Sequence, residues 1–475
     1  MKTHKKGFLT IFFLIGLTGA ALAYMGVSGS SVSSPPGQIA ANGNERVVSV
    51  HTELAQDKVL KGSNGDVSVA LTLSAENVEP ALHNNIQPVD MVVVLDRSGS
   101  MNGQKINDAK SAVINLLNRL TPKDRISLIT YSNGVEILAP LMYVNNSSRE
   151  NLTALVHRIG SGGGTNLGGG LNSGIATLMQ ESGTNRQQKV ILISDGLANH
   201  GITSPSALGK MAGNGSEHNL AVSTVGVGYD FNEVLMTTIA DHGAGNYYFL
   251  ENPQAFAKVF EKEFETTRNV AAGALEVRIP LKDGLQLVSA GGFPIKIENN
   301  IAIIRPGDLL AGQQRKIFLS YRVPTEKERN FLLGNIQVHY THNGNSQIVS
   351  APEELHIDCV NNRQEVIASI DEDVWSEQVV KEDYNKLKDN VASAIRVGKK
   401  EEALDAIKEY ETRTTTINNS VGSGKVSQNL ENDLTTLRQS VYKTFAGAPA
   451  AVAEKKKQHA KNLQYESYQV RRDKK

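Results

Sequence analysis

The feature that most constrains the fold is a regular alternation of strand-like and helix-like segments between residues 90 and 265. Residues 91–95 are an uninterrupted apolar run, as expected for a strand buried on both faces. Further strand-like runs follow at 126–131, 190–193, 221–226 and 247–250, with helical segments between them and a last helix at 253–264. The first helix is indicated by apolar residues at helical spacing, namely Ala109, Val113, Leu116, Leu117 and Leu120. This alternation predicts an α/β Rossmann-like domain over residues 88–267, with a mostly parallel sheet and helices on both faces.

The segments on either side of this domain have β character. In residues 45–87, apolar and small or polar side chains alternate, and residues 268–360 contain several more strand-like runs. Asn343-Gly344 is the dipeptide most typical of a tight hairpin turn. We therefore expect the two segments to form one antiparallel β-sandwich. The α/β domain is either inserted in this sandwich or flanked by it.

The C-terminal part of the chain has helical periodicity. Residues 376–446 carry apolar stripes at helical spacing, interrupted at Gly398, and predict a helical module of two or three packed helices. Residues 447–475 are interpreted as a hinge followed by a basic tail, either frayed or a lone helix. A solvated end is the simplest reading of its charge, and contact with anionic lipid head groups is the alternative.

The N-terminus has the pattern of an export signal. Lysines precede an uncharged, largely apolar stretch that ends in Ala21-Leu22-Ala23, so residues 1–23 are predicted to be a signal peptide. An uncleaved membrane anchor is the alternative, and residues 24–44 are interpreted as a flexible linker. The single cysteine, Cys359, cannot form an intrachain disulfide. These features favour an exported protein of a bacterial periplasm or cell envelope, or a secreted one.

The charge balance argues against nucleic-acid binding. Lys and Arg number 49 and Asp and Glu number 49, so the chain has no net basic field with which to hold a phosphate backbone.

Oxygen-bearing side chains follow two of the predicted strands. Asp96, Ser98 and Ser100 come directly after the run 91–95, Asp195 follows the run 190–193, and Thr165 lies in a glycine-rich loop. In an open α/β sheet, ligands bind at the carboxyl ends of the strands. Carboxylates and hydroxyls are hard donors that suit Mg²⁺ or Ca²⁺. The alternative is that Asp96 and Ser98 only cap the next helix, and that Thr165 and Asp195 belong to simple connections.

This pattern resembles the metal-ion-dependent adhesion site of the von Willebrand factor A family. The family's Asp-x-Ser-x-Ser, its loop threonine and its second aspartate correspond here to Asp96, Ser98, Ser100, Thr165 and Asp195. The resemblance implies that the serines, and in one conformation Thr165, contact the ion directly, and that the aspartates hold its waters or bind from nearby. The ion implied is Mg²⁺, with Mn²⁺ or Ca²⁺ possible, and it would bind an Asp or Glu carboxylate of a partner protein.

Two other functions compete with metal-dependent protein binding. The protein could be an envelope scaffold or assembly factor that recruits partners through its C-terminal helices. For either function, membrane association through the N-terminus is possible. The protein could also be a Mg²⁺-dependent hydrolase, but the sequence shows neither a Gly-Lys-Ser/Thr phosphate loop nor a Gly-x-Ser-x-Gly nucleophile turn. We therefore expect a binding protein and no enzyme.

Overall fold

A computed structural model describes residues 46–77, 87–181, 186–252 and 255–472. The predicted signal peptide and linker, residues 1–23 and 24–44, lie outside the described residues. Among the described helices, none combines the length and the apolar character needed to cross a membrane.

The α/β domain is built on a six-stranded sheet with the order β6-β5-β4-β7-β8-β9, in which only β6 is antiparallel. Its strands are β4 (Val89–Asp96), β5 (Arg125–Tyr131), β6 (Val135–Tyr143), β7 (Gln187–Ser194), β8 (Leu220–Val227) and β9 (Ala244–Leu250). The sequence pattern did not predict β6. This edge strand is mostly exposed or half-buried, so it lacks the apolar run that marks the central strands.

Six helices cover the two faces of this sheet. They are α1 (Gln104–Arg119), α2 (Asn146–Arg158), α3 (Leu167–Met179), α4 (Pro205–Glu217), α5 (Glu233–His242) and α6 (Phe256–Arg268). Successive residues of β4 point into opposite cores: Met91 and Val93 pack with α1, α2 and α6, whereas Val92 and Val94 pack with α3, α4 and α5. This confirms the predicted doubly covered sheet, although α6 begins at Phe256 and ends at Arg268 instead of spanning 253–264.

The β-rich part surrounds the α/β domain in sequence. Among the described residues, three strands precede the domain: β1 (Val48–Leu54), β2 (Lys58–Leu60) and β3 (Asp66–Ala75). Ten follow it: β10 (Val270–Pro280), β11 (Gln286–Ala290), β12 (Lys296–Glu298), β13 (Ile301–Ile304), β14 (Leu309–Leu310), β15 (Gln314–Arg322), β16 (Arg329–Leu332), β17 (Gln337–His342), β18 (Asn345–Ser350) and β19 (His356–Val360). One apolar core draws on both groups, so the α/β domain is inserted between β3 and β10.

These strands form two larger antiparallel sheets and one small mixed sheet. The orders are β1-β3-β15-β11, β12-β13-β10-β17-β18 with β14 beside β10, and β16-β19-β2. The small sheet differs from the expected all-antiparallel sandwich, because β19 pairs with β2 in parallel. The hairpin at Asn343-Gly344 is present between β17 and β18, and both turn residues have positive φ.

The C-terminal module consists of α7 (Arg363–Ala368), α8 (Glu372–Gln378), α9 (Tyr384–Arg396), α10 (Lys400–Val421), α11 (Gly424–Gln428) and α12 (Leu434–Thr444). A π-helical segment joins α8 to α9 at Val379–Asp383, and another joins α11 to α12 at Asn429–Asp433, fifty residues later. At the same spacing, Leu437 and Val441 occupy the positions of Leu387 and Val391, and all four are buried. The module therefore contains a twofold internal repeat that the sequence analysis did not detect.

The basic segment at the C-terminus is neither frayed nor a lone helix. Helix α13 (Pro449–Arg471) packs against α9 and against the α5–β9 side of the α/β domain. The Lys461 ammonium donates to Glu233 and to the Phe231 carbonyl, both at 2.7 Å, and Arg472 pairs with Asp241 at 2.5 Å. The rings of Tyr468 and Tyr247 pack edge to face, with centroids 5.3 Å apart. Much of the tail's positive charge is thus neutralised within the protein.

Candidate metal centre

The two aspartates of the candidate site lie side by side at the carboxyl edge of the sheet. Asp96 is the last residue of β4, and Asp195 directly follows β7. These strands are parallel neighbours, with Leu95 paired to Ile193, so both strands end at the same edge of the sheet. The strand register alone brings together two acids that are 99 residues apart in sequence.

The serine hydroxyls connect these carboxylates in a short chain of hydrogen bonds. Ser98 and Ser100 lie in the turn after β4, and their Oγ atoms are 3.0 Å apart. Ser100 Oγ donates to Asp195 Oδ1 at 2.7 Å. On the other side, the Ser98 backbone N–H donates to Asp96 Oδ1 at 2.8 Å. Ser100 therefore reaches Asp195 directly, Ser98 reaches it through the Ser100 hydroxyl, and Asp96 is linked to this chain by the Ser98 backbone N–H.

Thr165 joins the same cluster from the glycine-rich loop before α3. A methyl group built on Gly196 would lie 3.2 Å from Ser100 Oγ and 3.6 Å from Thr165 Oγ1, so both hydroxyls converge on the backbone beside Asp195. The structure thus brings all five predicted side chains, from Asp96 to Asp195, to one place.

The glycines of this loop are required by close approach. Gly163 has φ +83°, which side-chain-bearing residues rarely adopt, and its carbonyl accepts a hydrogen bond of 3.0 Å from the Gly99 N–H. A side chain at Gly164 would lie 2.9 Å from Asn133 Oδ1. The left-handed backbone at Gly163 therefore favours glycine where the loop meets the turn after β4, and glycine at position 164 leaves room for the Asn133 side chain.

Burial makes the two carboxylates unusual. Asp96 and Asp195 are both 0% exposed. Desolvation raises the pKa of the Asp96 carboxyl to about 6, and the nearby negative charge of Asp195 adds to this, although hydrogen bonds from Ser194 and Ser98 oppose the shift. Two buried acids this close favour any cation that can be shared between them.

Several residues that sequence reasoning missed support the site. Ser194 Oγ donates to Asp96 Oδ2 at 2.7 Å, and Asn199 Oδ1 accepts from the Thr165 N–H at 2.8 Å. Asn133 Oδ1 accepts from the Gly164 N–H at 2.7 Å. Ser194 is the last residue of β7 and Asn133 follows β5 by two residues, so their place at the ligand-binding edge is the available signal, whereas nothing in the sequence marks Asn199.

Lys105 was also missed, and it is the one basic residue that pairs with either site aspartate in the part of the chain that the structure describes. Its ammonium donates to Asp195 Oδ2 at 2.5 Å and lies 3.4 Å from the Ser100 carbonyl oxygen. It stands at the start of α1, where a sequence pattern indicates only an exposed helical position.

The donor set fits a small divalent cation. Three hydroxyls and two carboxylates are hard oxygen ligands of the kind that Mg²⁺ prefers, and all five residues belong to one hydrogen-bonded or close-packed cluster. Among the described residues no cluster of three or more His, Cys, Asp or Glu suits a metal, and this site instead combines two acids with three hydroxyls.

Comparison with known proteins identifies the domain. Residues 90–262 match the family model of the von Willebrand factor type A domain. A solved von Willebrand factor type A protein from Catenulispora acidiphila superposes with a TM-score of 0.66 at 16% identity, over 90% of this chain and 98% of that one. The ArnB paralog VWA2 from Sulfolobus acidocaldarius gives 0.54 at 20% identity, over 89% and 99%. The chain therefore carries a von Willebrand factor type A domain, and the likeness in fold extends over most of its length.

Relatives with curated sequences differ in function. An uncharacterized protein of Synechocystis sp. is 28% identical over 58% of this chain and 67% of its own length. Inter-alpha-trypsin inhibitor heavy chain H1 of Sus scrofa is 29% identical over 30% of this chain, and the E3 ubiquitin-protein ligase WAV3 of Arabidopsis thaliana is 25% identical over 53%. The matched segments span only 16% and 33% of these last two proteins. The shared domain is one generally used for protein–protein interaction and adhesion.

Proposed function

We propose that this protein is a metal-dependent binding module, in which Mg²⁺ held by Asp96, Ser98, Ser100, Thr165 and Asp195 binds an acidic side chain of a partner protein. Mn²⁺ or Ca²⁺ could take the same ligands. The observation that carries the proposal is the convergence of three hydroxyls on two fully buried carboxylates, one of which has no basic partner among the described residues.

The choice of ligands explains why the ion would accept a partner. Hydroxyls are neutral, so a cation bound largely through them keeps most of its charge and attracts a further carboxylate. When bound, the metal would supply this electrostatic attraction. The protein's own residues fix the donors: Ser194 and the Ser98 N–H orient Asp96, and Asn133 and Asn199 hold the Thr165 loop.

Lys105 has a definite place in this proposal. Its ammonium neutralises Asp195 and lies close to the ligand set, so it would repel a bound divalent cation while lowering the cost of burying Asp195. It also adds positive charge on the side from which an acidic partner would approach, beside the exposed Ser100.

The proposed setting is outside the cytoplasm. The signal-like sequence of residues 1–23 supports export to a bacterial envelope or beyond, with an uncleaved anchor as the alternative. We propose a binding role and no catalysis, because the cluster presents hydroxyls tied to carboxylates and lacks a histidine among its hydrogen-bond partners in the described residues.

An affinity pull-down from an envelope extract tests the proposal. The protein serves as bait in Mg²⁺, in excess chelator, and as the Asp96→Asn variant in Mg²⁺. Asp230→Asn is the matched control, because Asp230 is an exposed aspartate of the same domain. We expect a partner retained by the wild type and the control only in Mg²⁺. A partner retained equally in chelator and by Asp96→Asn would refute metal-bridged binding and move recognition to the β-sandwich or the helices.

A further inference from the structure

A cavity of about 710 Å³ lies between the β-sandwich and the helical module, and none of the five residues of the candidate metal centre lines it. Its floor is the outward face of the sheet β1-β3-β15-β11, and its other walls come from α7 to α10. This volume falls within the range of roughly 300–1,000 Å³ that small-molecule sites occupy.

The floor is open because its residues are small. Ser289, Ser320 and Ser68 stand in register on three neighbouring strands and form a row across the sheet. Two residues along the same face, the paired Phe318 and Ala70 are buried against the helices and fill the space between the layers. The serine side chains are too short to reach the helices across the same distance, so a gap remains between the sheet and the helical module.

Most of the remaining wall is apolar. Val366 and Ile367 line it from α7, and Ile370 lines it from the connection after that helix. Trp375 and Val379 line it from α8 and the π-helical segment. Such a wall favours a ligand with a hydrocarbon body, because transfer of apolar surface out of water is favourable.

Two polar groups of the lining lack partners among the described residues. Ser68 is 5% exposed, and its buried Oγ makes no hydrogen bond. The Arg363 Nη2 atom is also buried and makes none. A buried donor left unpaired costs about 1–3 kcal/mol and more when it is charged, so both groups are suited to a ligand that brings acceptors.

The charge of the lining is positive. Arg322, Arg363, Lys386 and Arg413 outnumber Asp66, Asp383 and Glu409. Arg322 is paired with Asp66 at 2.8 Å, Lys386 with Glu382 at 2.9 Å and Arg413 with Asp383 at 4.0 Å, which leaves Arg363 as the charge best placed to receive an anion.

We propose that this cavity binds an organic anion with an elongated apolar body, of the class of a fatty-acid carboxylate. Arg363 pairs with the carboxylate, Ser68 donates to a ligand oxygen, and the hydrocarbon body lies along α7 and Trp375. The site is independent of the metal centre and of the function proposed for it.

Tryptophan fluorescence offers a direct test, because Trp375 is the only tryptophan of the chain and lines the cavity. The protein would be titrated in chelator with dodecanoate below its micellar concentration, and in parallel with dodecanol, dodecylammonium and vesicles of anionic phospholipid. We expect a saturable change with dodecanoate, at least tenfold weaker binding of dodecanol and dodecylammonium, and no change with vesicles. No saturable change with dodecanoate, equal binding of all three chains, or a response to vesicles alone would overturn the proposal.

Two variants place the ligand. Arg363→Gln removes the guanidinium, and a lost charged hydrogen bond should weaken dodecanoate binding roughly tenfold. Ser320→Phe fills the cavity from its floor and should abolish binding. Arg329→Gln, at an exposed arginine of β16, is the control and should bind as the wild type does. Thermal unfolding verifies that each variant is folded. If folded Arg363→Gln or Ser320→Phe bound dodecanoate with wild-type affinity, the assignment would be wrong.

Discussion

Strand β4 has a buried aspartate near each end, and the two differ in whether basic side chains neutralise them. Asp90 at the amino end and Asp96 at the carboxyl end are both 0% exposed. Asp90 accepts from Arg125 and Arg186, each at 2.6 Å, so the protein itself neutralises this charge. Asp96 accepts hydrogen bonds from the Ser194 hydroxyl and the Ser98 backbone N–H, and among the described residues no lysine or arginine pairs with it.

This difference separates a charge that the fold compensates from one that it leaves open to the proposed cation. Removing a carboxylate from water is costly unless a cation and hydrogen bonds replace the lost hydration. At the amino end two arginines do so, and the aspartate ties three segments of the domain together. At the carboxyl end the protein leaves the charge incompletely compensated, next to a second acid and three hydroxyls, which is what a site for an added cation requires.

The largest expected contrast is in stability without metal. Asp90→Asn leaves the guanidiniums of Arg125 and Arg186 largely buried without their carboxylate, and should lower the free energy of unfolding by about 3 kcal/mol. Asp96→Asn removes an uncompensated buried charge and should leave stability unchanged or raise it by about 1–2 kcal/mol. Urea unfolding in chelator measures both. Equal destabilisation by the two substitutions would remove the distinction between the two ends of the strand.

The second contrast is in the response to Mg²⁺. Ligand at a hundred times its dissociation constant stabilises a folded protein by about 2.7 kcal/mol, so Mg²⁺ should raise the melting temperature of the wild type by several degrees. Asp96→Asn should lose this shift. Ser206→Ala, which alters an exposed serine at the start of α4, should keep it. A shift that survives in Asp96→Asn would place the stabilising ion elsewhere.

Lys105 provides a smaller, third contrast. Lys105→Met removes a positive charge beside the proposed ion and should tighten Mg²⁺ binding about tenfold, measured by calorimetric titration. Lys110→Met is the matched control on the same helix, because the Lys110 ammonium donates to the carbonyls of His157 and Ile159 and contacts neither site aspartate. Weaker Mg²⁺ binding by Lys105→Met would show that the ammonium supports the site instead of opposing the ion.

The smallest effect concerns a third aspartate, Asp389 on α9. Burial raises the pKa of this carboxyl to about 6, although Arg471 and a hydrogen bond from Ser467 oppose the shift. In the unfolded chain the carboxyl ionises near pH 4, so folding becomes less favourable as the pH rises from about 4 to 6 and the penalty is constant above that range. Asp389→Asn should therefore raise the free energy of unfolding, measured by urea unfolding, by up to about 1 kcal/mol at pH 8 and leave it unchanged at pH 4. A gain that does not depend on pH would contradict this sign.

Much of the α/β domain could be predicted because its signals are local. Burial of a central strand is visible in the apolar run at 91–95, and a tight loop is visible in the glycines before Thr165. Parallel strand register then places Asp96 beside Asp195. Their assembly into one cluster follows from the order of β4 and β7 in the sheet. The role of the cluster as a metal site stays a prediction.

The parts that could not be predicted depend on distant partners. Lys461 and Arg472 are buried in the structure because they form ion pairs with Glu233 and Asp241 of α5. From the sequence alone, both look like solvated charges of a tail. The same holds for Ser68 and Ser320, whose alternation with apolar residues indicates a water-facing side of a sheet until the helices close over it. Tertiary contacts of this kind leave no periodic signal in the chain.

The central claim is that an added divalent cation completes the carboxyl end of β4. The most direct measurement is the anomalous scattering of crystals grown with Mn²⁺, a stand-in for Mg²⁺ with the same preference for oxygen ligands. We expect a strong anomalous peak within bonding distance of the hydroxyls of Ser98 and Ser100, next to Asp96 and Asp195. A well-ordered site with no peak there, and with the Lys105 ammonium still bonded to Asp195 in saturating Mn²⁺, would contradict it.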